Sequence, residues 1–393
     1  IVALGAALWW GTQRGRAPAP SPAGQEVGLT LNGQSATGTP ASDIFVVNGT
    51  NGLDGGLGAL IDLMGSHGLL FYRSETSGAN REPGGLIAKD DVVLIKVNSQ
   101  WDERGGTNTD LLKKLIQTIV DHPDGFVGEI VVADNGQAQA GTFGTGGSLN
   151  WSRCNAEDQS QSVQKVVDSF SGSYRVSTYL WDTITRTVVN EYSVGDLRDG
   201  YVVNATANPR TGIMVSYPKF NTTLGTYVSF KLGIWNPENQ TYDSERLKVI
   251  NVPVLKSHSG YGVTACVKHY MGVISDRGPQ TRAHLTVRTG GMGTAMVETR
   301  FPVLNIVDAI WVNAVPVGGP GTSYGEATHV KVIMAGTDPV ALDYWAAKHV
   351  LLQAATKRGV SNTDSFNPDN TRNTGENQEV FGVWLDRARQ EML

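Results

Sequence analysis

The sequence predicts an α/β fold, with a mostly parallel sheet flanked by helices and a β-rich insertion. Short apolar runs rich in Val and Ile, typical of buried parallel strands, alternate with segments whose apolar residues recur at helical spacing. That alternation stops between about residues 141 and 247, where Gly, Ser and Thr separate runs typical of antiparallel strands. We therefore expect an α/β domain built from residues 25–140 and 248–393, with residues 141–247 as the insertion.

Residues 1–24 are predicted to be a membrane anchor or signal-peptide remnant, followed by a Pro/Ala-rich linker. "IVALGAALWW" is apolar and ends in two tryptophans, which are favoured at the membrane–water interface. The run is shorter than the ~20 residues that cross a bilayer, so we expect further residues upstream of it. The alternative is an N-terminal helix packed on its own domain or on a neighbouring subunit. An anchor would place the protein on the extracytoplasmic side of a membrane, as a subunit of a membrane assembly with protein partners.

The first part of the α/β domain is predicted to contain three strands separated by helices. The strands are the apolar runs in "DIFVVNG", "DVVLIKVN" and "EIVVADNG", each ending in polar residues. Between them, "GLGALIDLMGSHG" and "DLLKKLIQTIVDH" have the apolar spacing of helices, and Asn108 or Thr109 is a suitable N-cap for the second. Strand, helix and strand in this order indicate a parallel sheet.

The insertion and the last part of the chain are predicted in the same way. "YRVSTYLW", "TRTVVNEYSV", "TGIMVSYPKF" and "TYVSFKLGIW" are expected to be antiparallel strands. After them come the strand "LKVINVPVL", the helix "VTACVKHYMGVI", the strand "HVKVIMAG" and the helices "DPVALDYWAAKHVLLQAA" and "EVFGVWLDRARQEM". Asp338 followed by Pro339 has the pattern of an N-cap with proline in the first helical turn.

Polar side chains follow the predicted strands at the edge where open parallel sheets bind ligands. Lys96 and Asn98 end one strand, Asp134 ends the next, and Lys256 and His258 end the third. The first and last strands also end in polar residues, at 48–51 and at 337–338, and we expect these at the same edge.

The predicted helix after the third strand adds further groups. Thr264, Lys268 and Gly272 are spaced to share one helix face, and the N-terminus of that helix offers free N–H groups and partial positive charge. Several cations beside a helix N-terminus suit a small anion such as a carboxylate or phosphate. The predicted catalytic residues are His258 and Lys268, and His258 is also the predicted metal ligand. The predicted ligand-binding residues are Lys96, Asn98, Asp134, Lys256 and Thr264.

Each of these residues also has a structural interpretation. Lys96 could simply reach solvent at a strand end, Asp134 could cap a turn, and His269 is interpreted as an ordinary core or surface histidine. The basic group of Lys256, His258 and Lys268 is the least easily explained in this way, since like charges beside an apolar junction repel one another.

Composition and missing motifs exclude several classes. A net charge of −5 and the lack of a basic stretch argue against nucleic-acid binding. The 2 cysteines are too few for a cysteine-ligated iron–sulfur cluster or a zinc site of Cys/His type. No G-x-G-x-x-G or G-x-x-x-x-G-K-[ST] motif occurs. We therefore expect no iron–sulfur cluster and no nucleic acid, and leave the cofactor open, with a divalent metal as one candidate.

The order of several segments resembles the domain of unknown function 362 family. The segments are "VVLIKVN", "TNTDLLKKLIQTIVD", "IVVADNG", "INVPVLKSHSGYGVTACVKHYMGVI", "VDAIW" and "VIMAGTDPVALDYW". The resemblance implies an α/β fold; many members carry a ferredoxin-like iron–sulfur module, and some are exported. This chain lacks the cysteines for such a module, has "IKVN" for the usual "IKPN", and has His269 where an asparagine is usual.

Three functions are consistent with the sequence. The first is a membrane-tethered extracytoplasmic protein that binds an anion or a metal-bound anion at the strand ends. The second is an enzyme, an isomerase or metal-dependent hydrolase, acting on a small carboxylate or phosphate. The third is an interaction module in which the pocket is vestigial and the insertion makes the contacts.

Overall fold

The computed structural model describes residues 2–4, 42–137, 147–277, 282–316, 319–372 and 380–393. Apart from Val2–Leu4, which form a strand, the predicted anchor and linker lie outside the described residues. None of the helices in the described part of the chain is long and apolar enough to cross a membrane.

The described strands and helices are as follows. The strands in chain order are β1 (Val2–Leu4), β2 (Ile44–Asn48), β3 (Tyr72–Arg73), β4 (Arg81–Glu82), β5 (Ile87–Ala88), β6 (Val92–Val97), β7 (Glu129–Asp134), β8 (Val176–Leu180), β9 (Gly200–Val203), β10 (Ser216–Asn221), β11 (Tyr227–Ser229), β12 (Gly233–Asn236), β13 (Thr241–Asp243), β14 (Leu247–Val252), β15 (Val254–His258), β16 (Gly262–Thr264), β17 (Leu304–Asn313) and β18 (Ala327–Gly336). The helices are α1 (Gly56–Ser66), α2 (Thr109–Val120), α3 (Val163–Ser171), α4 (Cys266–His269), α5 (Gly291–Glu298), α6 (Pro339–Ala346), α7 (Leu352–Lys357) and α8 (Phe381–Met392), with a π-helical turn, Ala347–Leu351, joining α6 to α7.

A 10-stranded sheet forms the centre of the described structure. Its order is β1-β2-β18-β17-β14-β6-β7-β8, with β15 beside β17 and β16 beside β15. The β14, β6, β7 and β8 strands are parallel, and β14 and β15 are both parallel to β17. Only β16 and β18 run opposite to their neighbours within it. The predicted α/β class with a mostly parallel sheet is confirmed.

The reversed direction of β18 corrects one expectation about the site edge. Because β18 is antiparallel to β17, its end at Gly336 lies at the edge opposite to the ends of β6 and β7. Asp338 is therefore remote from the other strand-end residues. Its side chain accepts hydrogen bonds from the N–H groups of Val340 (2.9 Å) and Ala341 (3.0 Å), so its predicted N-cap role is confirmed.

A separate 5-stranded antiparallel sheet, β13-β12-β11-β10-β9, forms the predicted β-rich insertion. The expectation for "YRVSTYLW" was wrong, because β8 pairs in parallel with β7 in the main sheet. "TRTVVNEYSV" contains a short 3-10 helix, Tyr192–Val194, in place of the expected strand. The small strands β3, β4 and β5 form a third sheet, a 3-stranded one.

Alternating residues of β6 point to opposite layers. Val93, Ile95 and Val97 pack in the apolar layer that contains the buried faces of α1, α2 and α3. Leu94 packs in the other layer, with α4, α5, α6, α8 and the insertion. Since side chains alternate along a strand, Lys96 faces the same side as Leu94, toward α4. The site described below lies on this side of the sheet.

Candidate functional site

A polar cavity of about 30 Å³ lies at the carboxyl ends of β6, β7 and β15. The structure brings all of the predicted site residues to it, together with several that were not predicted. Its lining residues are Lys96, Asn98, Gln100, Asp134, Asn135, Gln137, Lys256, His258, Thr264, Lys268, His269, Met271, Gly272 and Pro320.

Lys96 and Asp134 form a buried ion pair at the floor of the cavity. Lys96 Nζ lies 2.8 Å from Asp134 Oδ1, and both side chains are almost fully excluded from solvent. The other carboxylate oxygen accepts hydrogen bonds from Ser99, from its N–H at 2.8 Å and its hydroxyl at 3.1 Å. Burial lowers the pKa of Lys96, and Asp134 counteracts this. Asp134 is therefore fully engaged by protein groups, and Lys96 does not reach solvent.

Gly272 closes over this ion pair. A Cβ atom at this position would clash with the Asp134 carboxylate and with the end of the Lys96 side chain. The close approach explains why a residue without a side chain occupies this position on the wall of the cavity.

Asn98 is held with its amide nitrogen unpaired. Its Oδ1 accepts a hydrogen bond of 2.8 Å from the N–H of Val254, at the start of β15. This bond fixes which side of the amide is oxygen. No described residue accepts a hydrogen bond from its Nδ2, so two donor hydrogens remain available at the cavity.

The two other cavity lysines have different environments. Lys256 Nζ donates to the carbonyl oxygen of Gly105, and burial together with the nearby Lys268 lowers the pKa of Lys256 to about 7. Burial lowers the pKa of Lys268 to about 8, while Asp276 counteracts the shift. Lys268 Nζ lies 5.1 Å from the centre of the Tyr261 ring, and no acceptor among the described residues hydrogen bonds to it. Lys268 is thus a buried amine whose hydrogens are available to a ligand.

His258 is a neutral histidine in this setting. Burial, and then the charge of Lys268, lower the pKa of His258 to about 2. Its Nδ1 accepts a hydrogen bond of 3.0 Å from the N–H of Gly260, so the ring proton is on Nε2. This tautomer makes His258 a donor, and direct metal binding through Nε2 would require the bond to Gly260 to be lost. Within the residues that the structure covers, no group of three or more His, Cys, Asp or Glu could hold a metal ion.

The predicted helix around Lys268 is shorter than the sequence suggested. Gly262–Thr264 is the strand β16, in which Thr264 pairs with Lys256. The helix α4 begins only at Cys266 and is followed by a 3-10 turn, Tyr270–Gly272. Thr264 still lines the cavity, but as the residue across the hairpin from Lys256 rather than on a shared helix face.

The N-terminus of α4 is not available to a ligand, which corrects another expectation. The N–H groups of Cys266 and Val267 donate to the two oxygens of Asp343, at 2.6 and 2.9 Å. Burial raises the pKa of Asp343 to about 7. Asp343 is not among the residues predicted from the sequence, although a carboxylate within the apolar helix "DPVALDYW" is a signal of such a buried partner.

His269, interpreted from sequence as an ordinary histidine, is buried and lines the cavity. Its Nδ1 lies 2.7 Å from Asn251 Oδ1, and no described residue hydrogen bonds to its Nε2. Burial, and then the charge of Lys96, lower the pKa of His269 well below its usual value. It is the cavity residue that sequence reasoning underestimated.

The fold and the cavity define an α/β protein with a mixed sheet and a buried, cation-rich site at the carboxyl ends of parallel strands. Residues 244–348 match the family described as "Domain of unknown function (DUF362)". This match confirms the resemblance to that family over the matched segment. The matched segment includes Lys256, Lys268 and His269 but neither Lys96 nor Asp134. No curated protein and no solved structure matches the chain.

Proposed function

We propose that the protein binds a small anion in the cavity at the carboxyl ends of β6, β7 and β15. The observation that carries this proposal is an excess of hydrogen-bond donors. Lys268 Nζ, Asn98 Nδ2 and the Thr264 hydroxyl have no acceptor among the described residues, and all three residues line the cavity. The carboxylate in the cavity wall, Asp134, already binds Lys96 and Ser99.

The charges of the two cavity lysines support the same proposal. After burial itself, the charge of Lys268 lowers the pKa of Lys256, because two buried cations repel each other. A bound anion would attract both amines and replace the water that they lose on burial. The cation of Lys96 does not contribute a free charge, since Asp134 neutralises it.

Titration calorimetry with inorganic phosphate, sulfate and acetate tests the proposal. Lys268→Met keeps the apolar stem and removes the charged donor, so we expect roughly a 10- to 100-fold loss of affinity. Lys248→Met is the matched control, because Lys248 is also a buried lysine of the sheet but pairs with Glu245 outside the cavity. Failure of the wild type to bind any of these anions, or equal losses in both variants, would refute it.

A second candidate is acid–base catalysis on a small carboxylate or phosphate ester in the same cavity. Lys256 favours it, because an amine with a pKa of about 7 can both accept and donate a proton near neutral pH. Lys256→Met should then abolish turnover while leaving measurable anion binding. Native mass spectrometry with elemental analysis shows whether the bound species is an anion alone or an anion with a divalent metal.

The N-terminal sequence alone is the basis for proposing that the protein is tethered to a membrane and works with protein partners in an assembly. "IVALGAALWW" and the linker that follows support an extracytoplasmic protein attached to a membrane. Fractionation of cells without detergent tests this. Recovery of the full-length chain as a free monomer in the soluble fraction would contradict both the tether and the assembly.

A further inference from the structure

The geometry around His269 points to the chemical class of the anion. We infer that the cavity selects a phosphate group that carries a hydrogen, with His269 Nε2 accepting the hydrogen bond from the phosphate hydroxyl. This inference rests on the proposed anion binding and names the ligand of that same site.

A chain of hydrogen bonds fixes the tautomer of His269. Asn305 Nδ2 donates to the Gly336 carbonyl (3.4 Å), so its Oδ1 is the acceptor for Asn251 Nδ2 (2.9 Å). Asn251 Nδ2 also donates to the Cys266 carbonyl (3.2 Å), which leaves Asn251 Oδ1 facing His269 Nδ1 at 2.7 Å. Since that oxygen can only accept, His269 Nδ1 carries the proton. In a neutral ring, Nε2 is then a lone-pair acceptor.

The Nε2 atom of His269 is buried and has no hydrogen-bond donor among the described residues. His269 is only 3% exposed, and no described donor hydrogen bonds to its Nε2. A buried polar atom without a partner is costly, and in native proteins such atoms often indicate a ligand or water. Burial and the charges of Lys96, Lys256 and Lys268 lower the pKa of His269 and outweigh the Val97 backbone, which raises it, so the ring does not take a second proton.

The free groups of the cavity match a phosphate better than a carboxylate. Lys268, Asn98 and Thr264 offer roughly six donor hydrogens, whereas a carboxylate accepts about four hydrogen bonds. A phosphate group offers three acceptor oxygens and, when protonated, one hydroxyl donor. Sulfate has a similar shape and charge but no hydrogen at neutral pH, so one of its oxygens would face the lone pair of His269.

Free phosphate and a phosphate monoester share this chemistry, and they can be distinguished by pH. Free phosphate carries at least one hydrogen throughout the neutral range, whereas a monoester carries one only below about pH 6. Phenyl phosphate is therefore expected to bind better, relative to sulfate, at pH 5.5 than at pH 7.5 if the cavity admits an ester. Binding of free phosphate alone would identify inorganic phosphate as the ligand form.

The experiment compares inorganic phosphate with sulfate at pH 7 by titration calorimetry. His269→Asn is the informative variant, because its Nδ2 can still donate to Asn251 Oδ1 while the Nε2 acceptor is removed. His122→Asn is the control: His122 is also buried, but it hydrogen bonds to Ile87 and Asp124 outside the cavity. We expect the wild type and the control to prefer phosphate by at least about tenfold, and His269→Asn to show a preference below about threefold.

Each other outcome is decisive. Equal binding of phosphate and sulfate by the wild type would overturn the inference and leave the anion-binding proposal intact. Binding of neither anion would remove the proposal itself. Full selectivity in a folded His269→Asn variant would also overturn the inference. If that variant does not fold, the phosphate-to-sulfate ratio of the wild type decides alone.

Discussion

The buried pair of Lys96 and Asp134 is expected to hold the floor of the cavity together, and a double-mutant cycle tests this. Lys96→Met leaves the Asp134 carboxylate with only the two hydrogen bonds from Ser99. Asp134→Asn leaves a buried cation opposite a neutral amide. Removing one partner of a buried pair typically destabilises by about 3–5 kcal/mol, because an uncompensated charge remains in the interior.

The double variant should be much less destabilised than the sum of the two single variants. With both charges gone, Met and Asn leave no isolated ion, so we expect it to be no worse than either single variant and the coupling energy to be at least about 3 kcal/mol. Urea denaturation of the four proteins gives these free energies of unfolding. Lys348→Met is the control, since Lys348 pairs with Asp369 at the surface and should cost less than about 1 kcal/mol. Additive single effects, or single effects as small as the control, would show that the pair is not a structural unit.

Three further predictions concern the same region and the cysteines. Gly272→Ala should destabilise the protein by about 2–4 kcal/mol in the same denaturation assay, because the alanine methyl group would force the buried ion pair apart. A destabilisation below about 0.5 kcal/mol would contradict the close contact between Gly272 and the ion pair. The affinity for acetate or sulfate, whose own charge does not change in this range, should be highest below pH 7 and fall about tenfold or more by pH 9. The reason is that Lys256 and Lys268 lose their protons near pH 7 and 8. An affinity that does not change with pH would show that neither amine contacts the anion. Cys154 and Cys266 should resist alkylation at pH 8 until the protein is denatured, because both are buried and burial raises the pKa of each thiol; rapid labelling of the native protein would argue against this burial.

The local sequence pattern was sufficient to predict the helices and strands that have a clear apolar periodicity or a clear capping residue. The α2 helix shows this well, with a buried apolar face and an Asn108 side chain that accepts hydrogen bonds from the N–H groups of Asp110 and Leu111. The β6 and β7 strands, buried along their whole length, were equally clear from their Val and Ile content. In these segments the local preference and the tertiary environment favour the same conformation.

The direction of a strand and its partner in the sheet were harder to predict from the sequence, because neither is encoded within the strand itself. Residues 176–180 have a pattern that fits either sheet, and they join the main sheet because α3 supplies the crossover that a parallel neighbour of β7 requires. The β18 strand follows β17 directly in the sheet and pairs with it in antiparallel fashion, which removed residues 337–338 from the predicted site edge. An apolar run such as "VTACVKHYMGVI" is likewise ambiguous, and its first residues became β16 because they pair back onto β15.

The location of the site was therefore predictable, whereas the state of its charges was not. A position near the end of a parallel strand is a local property, and it places Lys96 and Lys256 at one cavity, to which the short helix α4 adds Lys268. The charge and the free hydrogens of each lysine depend on partners that are distant in sequence. Asp134 neutralises Lys96, and the Gly105 carbonyl oxygen accepts one hydrogen bond from Lys256. Lys268 has no such partner among the described residues, so it is the cavity lysine whose charge and hydrogens a ligand can use in full. A substitution of Lys268 should accordingly affect binding more than folding, and a substitution of Lys96 should do the reverse.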